Sequence, residues 1–163
     1  MEHLFASTHR SDAMFRIRVF TPQIVNAAGW PHAGAEFIAG DVRLIFRVDL
    51  RYWQVADYER QWAAGVARLR DGAPSSVLMS RFVGGDDSPH LMWALWREHR
   101  HVYIQSHCVI SADLQRLFDP SAPYEHVGAR VPVSENALPM SEWRVELEHV
   151  LASGFGVRWS LGQ

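Results

Sequence analysis

The sequence predicts a single α+β domain in which one major amphipathic helix packs on a mostly antiparallel sheet. Several segments alternate apolar and polar residues with the period of a half-buried strand, and one segment repeats apolar residues with helical spacing. The chain of 163 residues, 48% hydrophobic and 21% charged, has the size and composition of one globular domain. Residues 1–13 are polar and without period, so we expect a flexible arm there and the domain over 14–163.

The major helix is expected over residues 55–71. Its apolar residues recur at steps of three and four and form one stripe: Val55, Tyr58, Trp62, Val66 and Leu69. Gly72 suits the left-handed residue that follows a helix end. Gly65 lies mid-helix, where glycine costs about 0.8–1.0 kcal/mol relative to alanine, and it therefore indicates close packing against the sheet.

The alternating segments predict six strands. They are Met14–Phe20, Val42–Leu50, Ser75–Val83, Leu91–Glu98, His101–Ile110 and a last strand through Trp143, Val145 and Leu147, with a short helical turn near 149–152. Residues 91–96 are apolar on both faces, which is typical of a central strand. Residues 21–40 contain two prolines and three glycines and are expected to be irregular, with at most a short element. Residues 111–140 are expected to form a long excursion with little regular structure.

The charge of the chain does not favour a nucleic-acid partner. The net charge is −2, and all 16 basic residues are arginine. Four arginines alternate on two predicted strands and could form a basic stripe: Arg16, Arg18, Arg43 and Arg47. An RNA-binding sheet needs aromatic residues among such arginines, whereas Phe15 and Phe46 have the opposite parity. An RNA-binding domain therefore remains an alternative, and a solvent-facing row of charges is preferred.

The histidines offer a second alternative, a small metal-dependent hydrolase or nuclease. His99, His101 and His107 are close in sequence, and Asp86 and Asp87 lie one loop away. His107 should lie about 20 Å along its strand from the turn, because a strand rises 3.3–3.4 Å per residue. Metal ligands must converge to about 2.0–2.2 Å from one ion. We therefore expect no metal, no cofactor and no catalytic residue.

The single cysteine, Cys108, excludes an internal disulfide. Its parity matches that of Val102 and Ile104, which predicts a buried structural thiol. No apolar run approaches the roughly 20 residues needed to span a bilayer, and the start lacks the features of a signal peptide. These features predict a cytoplasmic protein without a membrane partner. Seven tryptophans favour an aromatic core and suggest a protein partner.

Three segments carry a resemblance to a known family. They are YWQVADYERQWAAGVARL (52–69), the pair MWALWRE and VYIQSH (92–98 and 102–107), and SEW (141–143). Over about residues 14–150 the chain resembles the immunity proteins of bacterial contact-dependent growth inhibition (CDI) toxin–immunity systems. The helix motif D-Y-x-x-Q-W-x-x-G is present, preceded by Gln54 where serine is the better cap. The resemblance marks these residues as a structural signature: Trp53, Asp57, Tyr58, Gln61, Trp62, Gly65, Trp93, Tyr103, Gln105, Ser141, Glu142 and Trp143.

The resemblance implies a non-enzymatic cytoplasmic protein that is monomeric when free. Its partner would be the toxic C-terminal domain of a large secreted effector, blocked by occlusion. The contact should use exposed residues outside the signature that suit a partner that is often basic. The candidates are the acidic residues of two loop regions: Asp86, Asp87, Asp113, Asp119, Glu125 and Glu135.

Overall fold

The computed structural model describes residues 14–83, 89–109, 118–132 and 141–154. The elements, in chain order, are β1 (Phe15–Val19), β2 (Ile24–Val25), β3 (Pro31–Ala39), β4 (Val42–Asp49), α1 (Val55–Arg70), β5 (Ser75–Arg81), β6 (His90–Glu98), β7 (His101–Val109), a 3-10 turn (Pro123–His126), β8 (Glu142–Glu146) and α2 (Leu147–Ala152). The predicted α+β class is confirmed. The arm over 1–13 and the segment 155–163 lie outside the described residues, so the domain boundaries stay a prediction.

The strands form two antiparallel sheets. In sheet A, β3 is central, with β4 on one side and β1 and β2 on the other. In sheet B, the order is β5-β6-β7-β8. The prediction of a central, doubly apolar strand is confirmed, because β6 lies inside sheet B and its residues 92–96 are all buried.

The central strand of sheet A was not expected, since residues 21–40 were predicted to be irregular. That prediction is wrong. The inward residues of β3 are three alanines and one phenylalanine: Ala33, Ala35, Phe37 and Ala39. Such small residues give little strand signal, yet they let the two sheets approach closely. Pro31 is tolerated because it occupies the first position of the strand.

The core lies between the two sheets. The ring of Phe37 stacks on Trp93 with 4.4 Å between centroids, and Phe46 meets the same indole edge-on at 4.7 Å. Trp143 on β8 also contacts Phe37, at 6.1 Å. Two of the signature tryptophans therefore join sheet B to sheet A through aromatic contacts.

Helix α1 closely matches its prediction. It ends at Arg70, one residue before the predicted end, and Gly72 follows with a positive φ of 95°. The predicted apolar stripe is buried from Tyr58 to Leu69, and Gly65 is buried with it. Within the described ranges, no helix is long and apolar enough to cross a membrane.

Candidate functional site

Helix α1 lies along the outer edge of sheet B, where β5 is the outermost strand. An outermost strand leaves the N–H and C=O groups of alternate residues without a strand partner. Gln61 takes up two of these groups on β5. Its side-chain nitrogen donates to the Val77 carbonyl oxygen at 2.9 Å, and its side-chain oxygen accepts from the Met79 N–H at 2.7 Å. The Gln61 carboxamide thus pairs with β5 as a neighbouring strand would.

Two aromatic residues of the same motif extend this pairing. The Trp62 indole nitrogen donates to the Met79 carbonyl oxygen at 2.7 Å. The Tyr58 hydroxyl accepts from the Phe82 N–H at 2.9 Å and donates to the Asp49 carbonyl oxygen at 2.8 Å. Burial raises the pKa of Tyr58, so the phenol keeps the proton that this second bond requires.

Gly65 permits the close approach of α1 to β5. A Cβ atom at this position would lie 2.6 Å from the Val77 carbonyl oxygen and 2.7 Å from Cδ2 of Leu78. The Ser76 hydroxyl donates to the Gly65 carbonyl oxygen at 2.7 Å, across the same contact. The mid-helix glycine is therefore explained by packing, as its sequence position indicated.

The first turn of α1 is capped by its own sequence. The backbone N–H of Gln54 donates to the Asp57 carboxylate at 2.8 Å, and the Asp57 N–H donates to the Gln54 carbonyl oxygen at 3.0 Å. Asp57 also forms an ion pair with Arg60, one turn further along the helix. Asp57 therefore stabilises the N-terminus of α1, and its role in the signature is structural.

A second part of the signature anchors the chain segment around residue 130. Arg130 binds Glu142 with two hydrogen bonds, of 2.6 and 2.8 Å, and its guanidinium lies 3.6 Å above the Tyr103 ring. The Gln105 side chain donates to Glu142 at 2.9 Å and to the Val131 carbonyl oxygen at 3.0 Å. The Arg130 hydrogen bond is the main cause that holds the pKa of Glu142 below its usual range. Residues 130–131 are therefore fastened to β7 and β8.

A groove of about 1070 Å³ separates α1 from residues 120–124. Small residues of the helix and of the turn after it leave this space open: Ala64, Gly65, Ala67, Gly72 and Ala73. Ser76 and Val77 of β5 also line it, and the opposite wall includes Tyr124. The Arg68 guanidinium lies 3.5 Å from the Tyr124 ring and donates to the Ser75 carbonyl oxygen, so it bridges the two walls.

A column of stacked rings holds the wall that contains residues 118–126. Consecutive centroids lie 4.6, 5.2, 4.4 and 4.9 Å apart in the order Trp53, Phe82, His90, Phe118 and His126. Burial, followed by the charge of His126, lowers the pKa of His90. The His90 Nδ1 atom accepts from the backbone N–H of Val83 at 3.3 Å, which requires the neutral ring with its proton on Nε2.

Two of the six predicted acidic contact residues lie on this wall. Asp119 and Glu125 are exposed and flank the part of the wall that faces the groove. Hydrogen bonds from the Ser121 hydroxyl and backbone N–H lower the pKa of Asp119. The other four, Asp86, Asp87, Asp113 and Glu135, lie outside the described residues. The structure therefore places Asp119 and Glu125 next to residues that line the groove, and it leaves the predicted role of all six untested.

The histidines of the metal alternative do not converge. His101 lies 3.2 Å from Glu146, and His107 lies 3.4 Å from the Gln105 side-chain oxygen on the same strand. His99 occupies the β6–β7 turn with a positive φ of 55°. Over the described ranges, no three His, Cys, Asp or Glu side chains are close enough to hold one ion.

The prediction of a buried thiol at Cys108 is wrong, because this residue is exposed. Val102 and Ile104 share its parity and are buried. Ser106 is already exposed, so the core covers this face of β7 only as far as Ile104. Cys108 lies opposite Leu91 near the end of the strand, beyond the covered part.

Sequence reasoning missed one charged residue in sheet A. Glu36 of β3 is only 2% exposed, and three arginines surround its carboxylate: Arg16, Arg18 and Arg43. The signal was a single carboxylate among the small and apolar residues of Pro31–Ala39. The arginines belong to β1 and β4, which flank β3 and do not pair with each other.

The structure is a two-sheet α+β domain in which the side chains of the signature motifs stabilise the fold. The family model of the CdiI N-terminal domain matches residues 48–153, and the chain therefore belongs to the CdiI family, the immunity proteins of contact-dependent growth inhibition. This match begins in β4 and reaches the residue after α2, so β1–β3 precede it.

A comparison with solved structures agrees with the fold. One chain of the "CdiA-CT/CdiI toxin and immunity complex from Enterobacter cloacae" is similar to this chain, with a TM-score of 0.76 and 20% sequence identity. The similarity covers 85% of this chain and 94% of the other. No curated protein matches the sequence. At this identity the structural likeness shows that the two chains share a fold.

Proposed function

We propose that this chain binds the toxic C-terminal domain of a large CDI effector in the cytoplasm and blocks it by occlusion. Membership of the CdiI family carries this proposal. The partner named for the similar solved structure, a CdiA-CT toxin, supports the same class of partner here. The mechanism is stoichiometric: the chain covers the toxin's active site or substrate-binding surface, and it uses no catalytic step, metal or cofactor.

The signature residues form bonds within the fold, which supports a toxin contact made by other residues on the surface. Gln61 and Trp62 bond to β5, and Tyr58 bonds to Phe82 just after it. Gln105 and Glu142 bond to the segment near residue 130. These side chains are therefore committed to the scaffold. We assign the toxin contact to the acidic loop residues, of which Asp119 and Glu125 flank the groove wall and Asp86, Asp87, Asp113 and Glu135 complete the set.

The proposed mechanism requires tight binding, which an interface of standard size can supply. Protection against a few toxin molecules needs slow release, and a nanomolar dissociation constant corresponds to about −12 kcal/mol. An interface of about 1,600 Å² is typical of stable complexes of this kind. Area alone does not fix affinity, so a few well-buried contacts must carry most of the binding energy.

Co-expression tests the proposal directly. The C-terminal domain of the effector encoded beside this chain is induced with and without it, and growth is followed. We expect arrest without the chain and growth with it, and calorimetry on a catalytically inactive toxin should give a stoichiometry of one to one. Continued arrest together with no binding at micromolar concentrations would contradict the proposal. Elemental analysis that found one zinc per chain would contradict the absence of a metal.

A further inference from the structure

The outer face of sheet A is rich in arginine. Alternate residues of β1 and β4 point away from the core, and the prominent ones are Arg16, Arg18, Arg43, Ile45 and Arg47. In the register, Arg18 lies opposite Glu36 and Glu36 lies opposite Ile45, so one row crosses all three strands. The neighbouring row places Arg16 and Arg43 on either side of Ile38. Adjacent strands are about 4.8 Å apart, which brings these side chains together on one surface.

Glu36 holds three of the four guanidinium groups in place. Its carboxylate lies 2.5 Å from Arg18, 2.8 Å from Arg43 and 3.8 Å from Arg16. The hydrogen bond from Arg18 is the main cause that lowers the pKa of Glu36, which keeps it ionised at neutral pH. Arginines restrained in this way lose less conformational freedom when they bind a partner.

This face carries positive charge in excess. One carboxylate faces three guanidinium groups, and Arg47 adds a fourth opposite Gly34. The arginines remain open to solvent, with Arg18 at 52% and Arg43 at 60% exposed. Ile45, two residues from Arg43 on β4, is 56% exposed. The whole chain has a net charge of −2, so the positive charge is a local property of this surface.

We propose that the outer face of sheet A is a docking surface for an acidic patch on the toxin, an inference that rests on the proposed function. Guanidinium groups pair with carboxylates in a planar, two-bond geometry, and exposed arginines around an apolar side chain are typical of protein interfaces. A nucleic acid fits this face less well, because the outward positions of β1, β3 and β4 hold a single ring, the His32 imidazole, and no Phe, Tyr or Trp on which successive bases could stack.

The toxin contact therefore includes charges of both signs on this chain. The acidic residues beside the groove suit a basic part of the toxin, and the arginines of sheet A suit an acidic part. Complementary charges of both signs fix the orientation of a complex and accelerate its formation. Each sign can be reversed separately, so the two contacts can be measured independently.

The test reverses the charge of Arg47, because this residue lies outside the Glu36 cluster and its replacement leaves that cluster intact. Association of a catalytically inactive toxin domain with Arg47→Glu is followed by stopped flow at low and moderate salt. We expect a rate constant reduced about tenfold at low salt, with a smaller reduction at moderate salt. The control is Arg100→Glu, an equal charge change at a residue that is 82% exposed in the β6–β7 turn. The control should change the rate less than about threefold.

If the wild type binds the toxin and Arg47→Glu associates at the same rate, this inference is overturned and the proposed function is upheld. Absence of wild-type binding would overturn both. A single-stranded RNA oligonucleotide serves as the second probe. RNA binding lost in Arg47→Glu, with toxin association unchanged, would assign the face to nucleic acid and overturn the protein partner. Circular dichroism on both variants should show the wild-type spectrum.

Discussion

The indole nitrogen of Trp62 donates a hydrogen bond to the backbone carbonyl oxygen of Met79 at 2.7 Å, from a side chain that is fully buried. The same side chain therefore fills the core and fixes the position of α1 along β5. A purely apolar contact would allow α1 to slide, because dispersion forces have little directionality. The hydrogen bond adds the direction that packing lacks.

Replacement of Trp62 tests this double role. We expect Trp62→Ala to lower the free energy of unfolding by about 3–5 kcal/mol, the range for deleting a large buried aromatic side chain. Trp62→Phe keeps a ring in the core and loses the hydrogen bond, so its cost should be smaller. Urea denaturation measures both values. A loss below about 1 kcal/mol for Trp62→Ala would show that the side chain contributes little to the core.

Gly65→Ala should destabilise the protein although alanine is the better helix former. The new methyl group would collide with the Val77 carbonyl oxygen and with Leu78. We expect a loss of about 1–3 kcal/mol in the free energy of unfolding, typical of an overpacked contact. Gly128→Ala is the control, because a Cβ atom there meets no atom within 4 Å. Denaturation midpoints that were equal for Gly65→Ala and the wild type would contradict the close approach.

Stability should fall as the pH decreases through about 6.5, the ordinary pKa of histidine. Burial lowers the pKa of His90, so the unfolded chain binds the proton more readily than the folded one. Protonation of Nδ1 also removes the acceptor for the Val83 N–H. The free energy of unfolding should therefore decrease between about pH 7 and pH 5.

The variant His90→Phe tests the assignment of this pH dependence. It keeps a ring in the column between Phe82 and Phe118 and removes the titrating group. Its stability should depend less on pH over the same interval, and the remaining slope is expected from His107, whose pKa burial also lowers. An unchanged slope in urea titrations would exclude His90 as the cause.

The acidic contact predicts that removal of negative charge also slows toxin association, although this charge change is opposite in sign to that of Arg47→Glu. The double variant Asp119→Ala, Glu125→Ala should associate with the toxin more slowly at low salt, and the matching variant Asp86→Ala, Asp87→Ala tests the other loop. Rim charges act mainly on the association rate, so the dissociation rate should change less. Rates unchanged at both low and moderate salt would remove the substituted loop from the interface.

The elements predicted correctly from sequence are those in which apolar residues form a long, regular pattern. Helix α1 has 16 residues with a continuous stripe, and β6 is apolar on both faces, so local sequence sufficed. Strand β3 escaped because its inward residues are mostly alanine and because Pro31 and Gly34 favour a loop interpretation. What identifies β3 as a strand is its pairing with β1 and β4, which local sequence does not contain.

The candidate site was predictable only in part for a related reason. The sequence identified Gln61, Tyr58 and Trp62 as a motif but could not show that they bond to the backbone of β5 and of Phe82 just after it. Arg130 was not singled out, because its partners Glu98 and Glu142 are 32 and 12 residues away in the chain. Cys108 was wrongly expected to be buried because parity assigns a face and does not show how far the core covers it.

The bonds between α1 and β5 restrict how any partner can bind on that side. A second chain often extends a sheet by adding its own strand to an open edge. The outward groups of residues 75, 77 and 79 on β5, and of residue 82 just after it, are already bonded to side chains of α1. A toxin that approaches this side must be recognised through side chains. Copies of the protein that wait for a toxin are also prevented from joining edge to edge through β5.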